Sequence, residues 1–177
     1  MPRILVTYAT RHGSTREIAS AIGEELTAAG LDVDVIEAHP GIDVHKYDAV
    51  VVGSPAYGGK WLPDAALFLI VNEQKLASRP LALFTAGTLG VRKPRSALRE
   101  HEETVKDLQQ LAPDLNVIST ALFHGAFSRS VLPLCLRLMD LMAGTPQGDF
   151  RDWEAIRGWG QRIAGRLVSG PPVEPGA

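Results

Sequence analysis

The chain is poor in the features that would assign it quickly. It has one cysteine, Cys135, so no internal disulfide can form and a reducing compartment, the cytoplasm, is expected. It has little excess of either charge. Its 18 Lys and Arg against 20 Asp and Glu leave a formal net charge of -2, which argues against a general nucleic-acid binder. No apolar stretch reaches the ~18 residues of a membrane-spanning helix. The apolar run at the N-terminus is short and lacks a cleavage-like site, so no signal peptide is expected. The histidines at 12, 39, 45, 101 and 124 are scattered and form no metal spacing. No nucleophile–base pair is evident, so no catalytic residue is named; any catalysis would belong to a bound cofactor that the protein positions.

What is present is an alternation. Strand-like runs occur at "RILVTYA" (3–9), "LDVDVIEA" (31–38), "DAVVVGS" (48–54), "PLALFTAG" (80–87) and "NVISTALFHG" (116–125). Helical patterns separate them. Ile18, Ile22, Leu26 and Ala29 make one face, closed by Gly30 as a C-terminal cap; further helices are expected over 63–76 and around 97–111. The last helix is expected to start at an N-cap Asp152 and to carry Ile156, Trp159, Ile163 and Leu167 on one face. Strands alternating with helices imply right-handed crossovers and a parallel sheet covered on both sides. The 177 residues suit a single domain, expected over 1–169, with a Pro/Gly-rich tail at 170–177 expected to be disordered. Residues 126–150 are extra to the minimal fold and are expected to form an inserted apolar helical segment.

Ligands of such sheets bind at the carboxyl ends of the strands, and three loops there are unusual. The first is "YATRHGSTREIA" (8–19). Ser14 with Glu17 fits a capping box, which would leave the N–H groups of Gly13, Ser14 and Thr15 pointing from a helix N-terminus. The hydroxyls of Thr10, Ser14 and Thr15 surround the same spot, and together these donors suit a phosphate. Other phosphate grammars fail. No G-x-G-x-x-G follows the first strand, "GSPAYGGKW" has shifted glycines with Trp61 where a P-loop needs Ser or Thr, and Cys135 is misplaced for a phosphatase loop. A receiver domain would need acidic residues where Thr10, Arg11 and Ser54 stand.

The second loop, "SPAYGGKWLPD", presents Tyr57 between small residues, as a surface for a flat ring, with Trp61 read as a hydrophobic plug. The third, "TAGTLGVRKP", has Ala86, Gly87, Thr88 and Gly90, small enough for backbone to approach a ligand edge. A phosphate turn, an aromatic loop and a small-residue loop at adjacent strand ends describe a mononucleotide with a large flat ring, and FMN is the natural candidate.

On these residues the chain resembles the flavodoxin family over essentially its whole length. "ATRHGSTREIA" is similar to that family's T/S-x-T-G-x-T phosphate loop, with Arg11 and His12 where simple flavodoxins carry small residues. "YDAVVVGSPAYGGKW" is similar to its third strand and flavin-stacking loop. The resemblance implies a doubly wound α/β fold with a five-stranded parallel sheet in the order 2-1-3-4-5. It implies that Thr10, Arg11, His12, Gly13, Ser14 and Thr15 hold the FMN phosphate. Ser54, Pro55, Ala56, Tyr57 and Gly58, with Ala86, Gly87, Thr88, Leu89 and Gly90, would then flank the ring. The variant phosphate loop, "VRKP" (91–94), the inserted segment and "RDWEAIRGWGQRIA" are similar to the menaquinone-dependent protoporphyrinogen oxidase branch. "AGTLG" departs from the loop of simple flavodoxins.

Two functions stay open on the sequence: an FMN oxidoreductase passing electrons from an organic substrate to a quinone, and an FMN electron carrier with protein partners. A third reading is a binding module of the same fold that has lost the cofactor. Residues 54–63 and 86–99 hold no Asp or Glu, whereas Lys60, Arg92, Lys93, Arg95 and Arg99 stand in or beside them. Positive potential there would stabilise an anionic reduced flavin and attract carboxylates of a substrate such as a porphyrinogen, which favours the oxidoreductase. "SVLPLCLRLMDLM" (130–142) is apolar enough either to pack on the domain or to meet a quinone, a subunit or the inner face of a membrane. Cys135 within it reads as an inert thiol.

Overall fold

The computed structural model describes residues 1–87, 94–127 and 148–169. The elements run β1 (Arg3–Tyr8), α1 (Ser14–Ala28), β2 (Asp32–Glu37), a 3-10 turn (Val44–Lys46), β3 (Ala49–Tyr57), β4 (Lys60–Trp61), α2 (Pro63–Val71) and α3 (Glu73–Leu76). They continue with β5 (Leu81–Gly87), α4 (Pro94–Leu111), β6 (Val117–His124), β7 (Ala126–Phe127), β8 (Gly148–Asp149) and α5 (Trp153–Ser169). Five strands form a parallel sheet in the order β2-β1-β3-β5-β6, the doubly wound order expected. The short β4 adds antiparallel to β3, and β7 and β8 make a separate antiparallel pair.

The central strands are apolar on both faces because both faces are covered. On one side Ile4, Val6 and Val51 meet Ile18, Ile22 and Leu26 of α1 and Ile156, Trp159 and Ile163 of α5. Phe84, Phe123 and Trp159 form an aromatic cluster there, with centroids 5.7–6.2 Å apart. On the other side Leu5, Val50, Val52 and Leu83 meet Phe68 and Leu69 of α2, Leu76 of α3 and Leu108 of α4. Gly53 is small because of this packing: a Cβ there would lie 1.9 Å from Phe84 Cζ.

Asp152 caps α5 as expected, its Oδ1 accepting from Ala155 N at 2.9 Å. The helix expected over 63–76 is instead two, α2 and α3. The buried Asn72 makes the break, its amide Nδ2 donating to Phe68 O at 3.0 Å and competing with the backbone ladder. The capping box is not formed either. The N-cap of α1 is Gly13, in the left-handed region at φ 86, with no side-chain cap. Glu17 turns its carboxylate away, to Arg151. Residues 126–127 and 148–149, expected within a helical segment, pair as strands. The rest of that segment, including 130–142 and Cys135, lies outside the described residues, as do the tail and Thr88, Leu89, Gly90, Arg92 and Lys93. Among the described residues, no helix is long and apolar enough to cross a membrane.

Candidate functional site

Sheet order brings the starts of the three loops together. β1 lies between β2 and β3, so the chain reverses its direction of winding beside β1, and ligands of such sheets bind outside the carboxyl ends of the strands at that point. The register aligns Tyr8 with Gly53 and Pro55 with Ala86. The turn after β1, the hairpin after β3 and the end of β5 therefore occupy neighbouring positions along one rim.

The first loop is shaped by its own groups. Thr10 Oγ1 accepts from Gly13 N at 3.0 Å, which closes the turn and feeds Gly13 into its positive φ. Gly13 N–H is thereby used internally, not offered to a ligand as the sequence suggested. The first rung of α1 runs from Glu17 N to Gly13 O at 3.2 Å. The N–H groups of Ser14, Thr15 and Arg16 precede that ladder and carry the positive end of the helix dipole. Thr15 is fully buried, and its Oγ1 has no hydrogen-bond partner among the described residues. A buried hydroxyl left unpaired costs ~1–3 kcal/mol, and here it stands among unpaired N–H donors. This set fits a phosphate: anion at a helix start, a hydroxyl to donate, and no side chain at the N-cap to crowd it. Arg11 and His12 are exposed on the outside of the turn.

The second loop is a hairpin. Tyr57 pairs with Lys60 across Gly58 (φ 59) and Gly59 (φ 75), the two positive-φ residues that a tight two-residue turn demands. Its polar groups are satisfied from within the fold. Ser54 is fully buried; its hydroxyl accepts from Leu62 N and donates to Pro55 O, both at 2.9 Å, so it shapes the loop. Trp61 is buried and donates from Nε1 to Thr85 Oγ1 at 2.9 Å, a plug with a polar anchor. Thr85 Oγ1 in turn stands 3.0 Å from His101 Nδ1. Thr85 Oγ1 thus links the indole of Trp61 to the imidazole of His101, its two lone pairs and one proton serving either tautomer of the ring. Burial holds His101 below its ordinary pKa, with Glu102 opposing. Thr104 Oγ1 shares its single proton between Gly59 O at 2.6 Å and Glu100 O at 2.7 Å. α4 thus braces the hairpin from behind, and the hairpin holds Tyr57 outward, 48% exposed.

At the third loop Ala86 is buried and Gly87 half-buried, and Gly87 O accepts from Gly125 N at 2.9 Å. His124, the last residue of β6, pairs with Gly87 in register. Arg95 and Arg99 are exposed on the first turns of α4.

Three features escaped the sequence. Glu100 packs against the hairpin: a Cβ at Gly59 would lie 3.4 Å from its Cγ and 3.6 Å from its Oε1. The loops free of acid in sequence therefore have a carboxylate beside them in space. Arg151 bridges Glu17 Oε2, at 2.6 Å, and both carboxylate oxygens of Asp149, tying the first turn of α1 to β8 while stacking on Trp153 at 4.5 Å. These two partners hold the Arg151 pKa above its ordinary value. Finally, the Arg11 guanidinium lies over the Tyr57 ring, 5.0 Å from its centroid. Desolvation raises the Tyr57 pKa and the Arg11 charge opposes it.

Comparison with known proteins agrees with this fold. The flavodoxin-domain family profile matches residues 5–143. Over 172 residues the chain is 27% identical to protoporphyrinogen IX dehydrogenase [quinone] of Escherichia coli (strain K12), covering 92% of this chain and 94% of that protein. It is 33% identical over 92 residues to probable flavodoxin 2 of Bacillus subtilis (strain 168), covering 49% of this chain and 61% of the relative. Among solved structures, a WrbA-like flavodoxin from Agrobacterium tumefaciens superposes with a TM-score of 0.59 at 17% identity, covering 97% and 100% of the two chains.

Proposed function

The chain belongs to the flavodoxin-domain family and has that family's FMN-binding fold, and from that premise we propose that it is an FMN-dependent oxidoreductase of the protoporphyrinogen-dehydrogenase kind. It would take electrons from an organic substrate and pass them to a quinone. The observation that carries this reading is the extent of the likeness to the Escherichia coli dehydrogenase. That likeness runs through 94% of the relative, whereas the match to the Bacillus flavodoxin stops at 61%.

The residues have distinct tasks in this reading. Thr15 Oγ1 donates to the FMN phosphate, with the N–H groups of Ser14, Thr15 and Arg16 and the dipole of α1 completing the anion site. Tyr57 offers a face to the ring, and the narrow backbone at Ala86 and Gly87 lets the chain approach its edge. Ser54, Trp61, Thr85, His101 and Thr104 act one layer back, keeping the hairpin in place. FMN, when bound, supplies two-electron chemistry, accepting hydrogen from a reduced organic donor and releasing electrons to an acceptor. The exposed Arg95 and Arg99 face incoming carboxylates, in keeping with a porphyrinogen substrate.

A second reading, an FMN electron carrier with a protein redox partner, is favoured by one feature, the Glu100 carboxylate beside Gly59. Anaerobic mixing distinguishes the two. The oxidoreductase reading expects a porphyrinogen to bleach the flavin and a menaquinone analogue to restore it. A flavin that the porphyrinogen never reduces, but that a reduced carrier protein does, would establish the second reading.

A further inference from the structure

The proposed site has one cation that belongs to two loops at once. Arg11 is part of the turn after β1, yet it does not shape that turn, which Thr10 and Gly13 close between themselves. Its guanidinium instead lies 5.0 Å from the centroid of Tyr57, on the hairpin after β3. Three other arginines among the described residues are used in ion pairs. Arg3 pairs with Asp32 and Asp34, Arg151 with Glu17 and Asp149, and Arg157 with Glu24 and Glu25. For Arg11, no carboxylate partner is found among the described residues, and its contact is an aromatic face. A cation over the electron-rich face of a phenol is held in place without being neutralised, which an ion pair cannot do.

We propose that Arg11, docked on Tyr57, is a positioning residue that supplies a fixed positive charge to the ring end of the FMN site and raises the cofactor's reduction potential. The inference rests on the FMN reading above. Reduction by two electrons with uptake of one proton leaves the ring one unit more negative, the electrons and proton coming from the organic donor. A cation fixed nearby stabilises that reduced form over the oxidised one. Because the charge is anchored to Tyr57, it acts on the ring more than on the phosphate. That distinction separates it from a simple phosphate-binding arginine, the role its sequence position suggests.

The test uses the purified, FMN-loaded protein and its apoprotein, without substrate. Equilibration with reference dyes should give a lower midpoint potential for Arg11→Gln than for the wild type, with Arg11→Lys close to wild type and a distant Lys46→Gln control unmoved. Fluorescence titration of the apoproteins should show Arg11→Gln weakening riboflavin and FMN by the same factor, about two- to fivefold. An unchanged midpoint in Arg11→Gln overturns the proposal. So does a loss of FMN binding with riboflavin binding intact, which would assign Arg11 to the phosphate. If the wild type binds no flavin, the FMN reading fails along with this one. If it binds flavin and a porphyrinogen fails to reduce it, only the substrate assignment fails and the Arg11 result stands.

Discussion

The two loops that meet at the rim are built on opposite principles. The turn after β1 leaves groups unfilled: Thr15 Oγ1 is buried without a partner, and three N–H groups stand ahead of the first rung of α1. The hairpin after β3 leaves almost nothing unfilled, with Ser54, Trp61 and Thr104 each paired into the loop or the elements behind it. A buried donor left unpaired costs stability, which an anion at this helix start would return. A saturated hairpin costs nothing to keep, and so serves to hold one exposed aromatic. The first loop is a socket and the second a bracket.

The bracket is most easily broken from beneath. Gly53→Ala would drive a methyl group into the Phe84 ring, at a cost of ~1–3 kcal/mol or more. In a chain of this size, the thermal unfolding midpoint should fall by about 2–12 °C, read by circular dichroism. The socket should respond differently. Thr15→Val removes a hydroxyl with no partner, so the apoprotein should keep its stability or gain slightly. FMN binding should weaken by about tenfold or more while riboflavin binding holds, because a hydrogen bond to a charged group is worth ~1.5–3 kcal/mol. Equal loss for both ligands in a fluorescence titration would remove Thr15 from the phosphate site.

A smaller effect probes the bracket through pH. His101 sits below its ordinary value of 6.5 because of burial, so the neutral form belongs to the folded state. The unfolded chain binds the proton more readily, and stability is therefore lost as pH falls through 6.5 toward the lowered folded value. Urea unfolding of the wild type should weaken between about pH 7 and pH 5 more than that of His101→Gln, which has no ring to protonate. Smallest is the tie from the socket to β8. Arg151→Met should cost about 1 kcal/mol, since water screens Glu17 and Asp149, 55% and 49% exposed, although the Arg151 side chain is itself only 9% exposed. Its stability loss should shrink in high salt, measured by the same unfolding curves.

The strand and helix order is legible in the chain because periodicity and apolar runs are local properties, and burial on both faces of β3 and β5 writes itself as unbroken Val, Ala and Leu. The helix start at Ser14 and the cap at Asp152 follow from neighbouring residues and were readable for the same reason. The capping box failed because a competing partner, Arg151, lies 134 residues away from Glu17. The split at Asn72 was missed because a buried amide that takes a helical carbonyl looks, in sequence, like any polar residue inside a helix.

By itself the sequence determined the winding of the sheet, the hydroxyl-rich turn that opens α1 and the presence of an aromatic in the next strand's loop, since each rests on spacing within a few residues. Only the tertiary structure decided what charges stand beside that aromatic. Gly59 and Glu100 are separated in sequence by β4, α2, α3 and β5, yet Glu100 packs on Gly59, and Arg11 reaches across from another strand end to cover Tyr57. Electrostatic interaction depends on distance in space, and the parallel crossovers that bring β1, β3 and β5 side by side make that distance unrelated to distance along the chain.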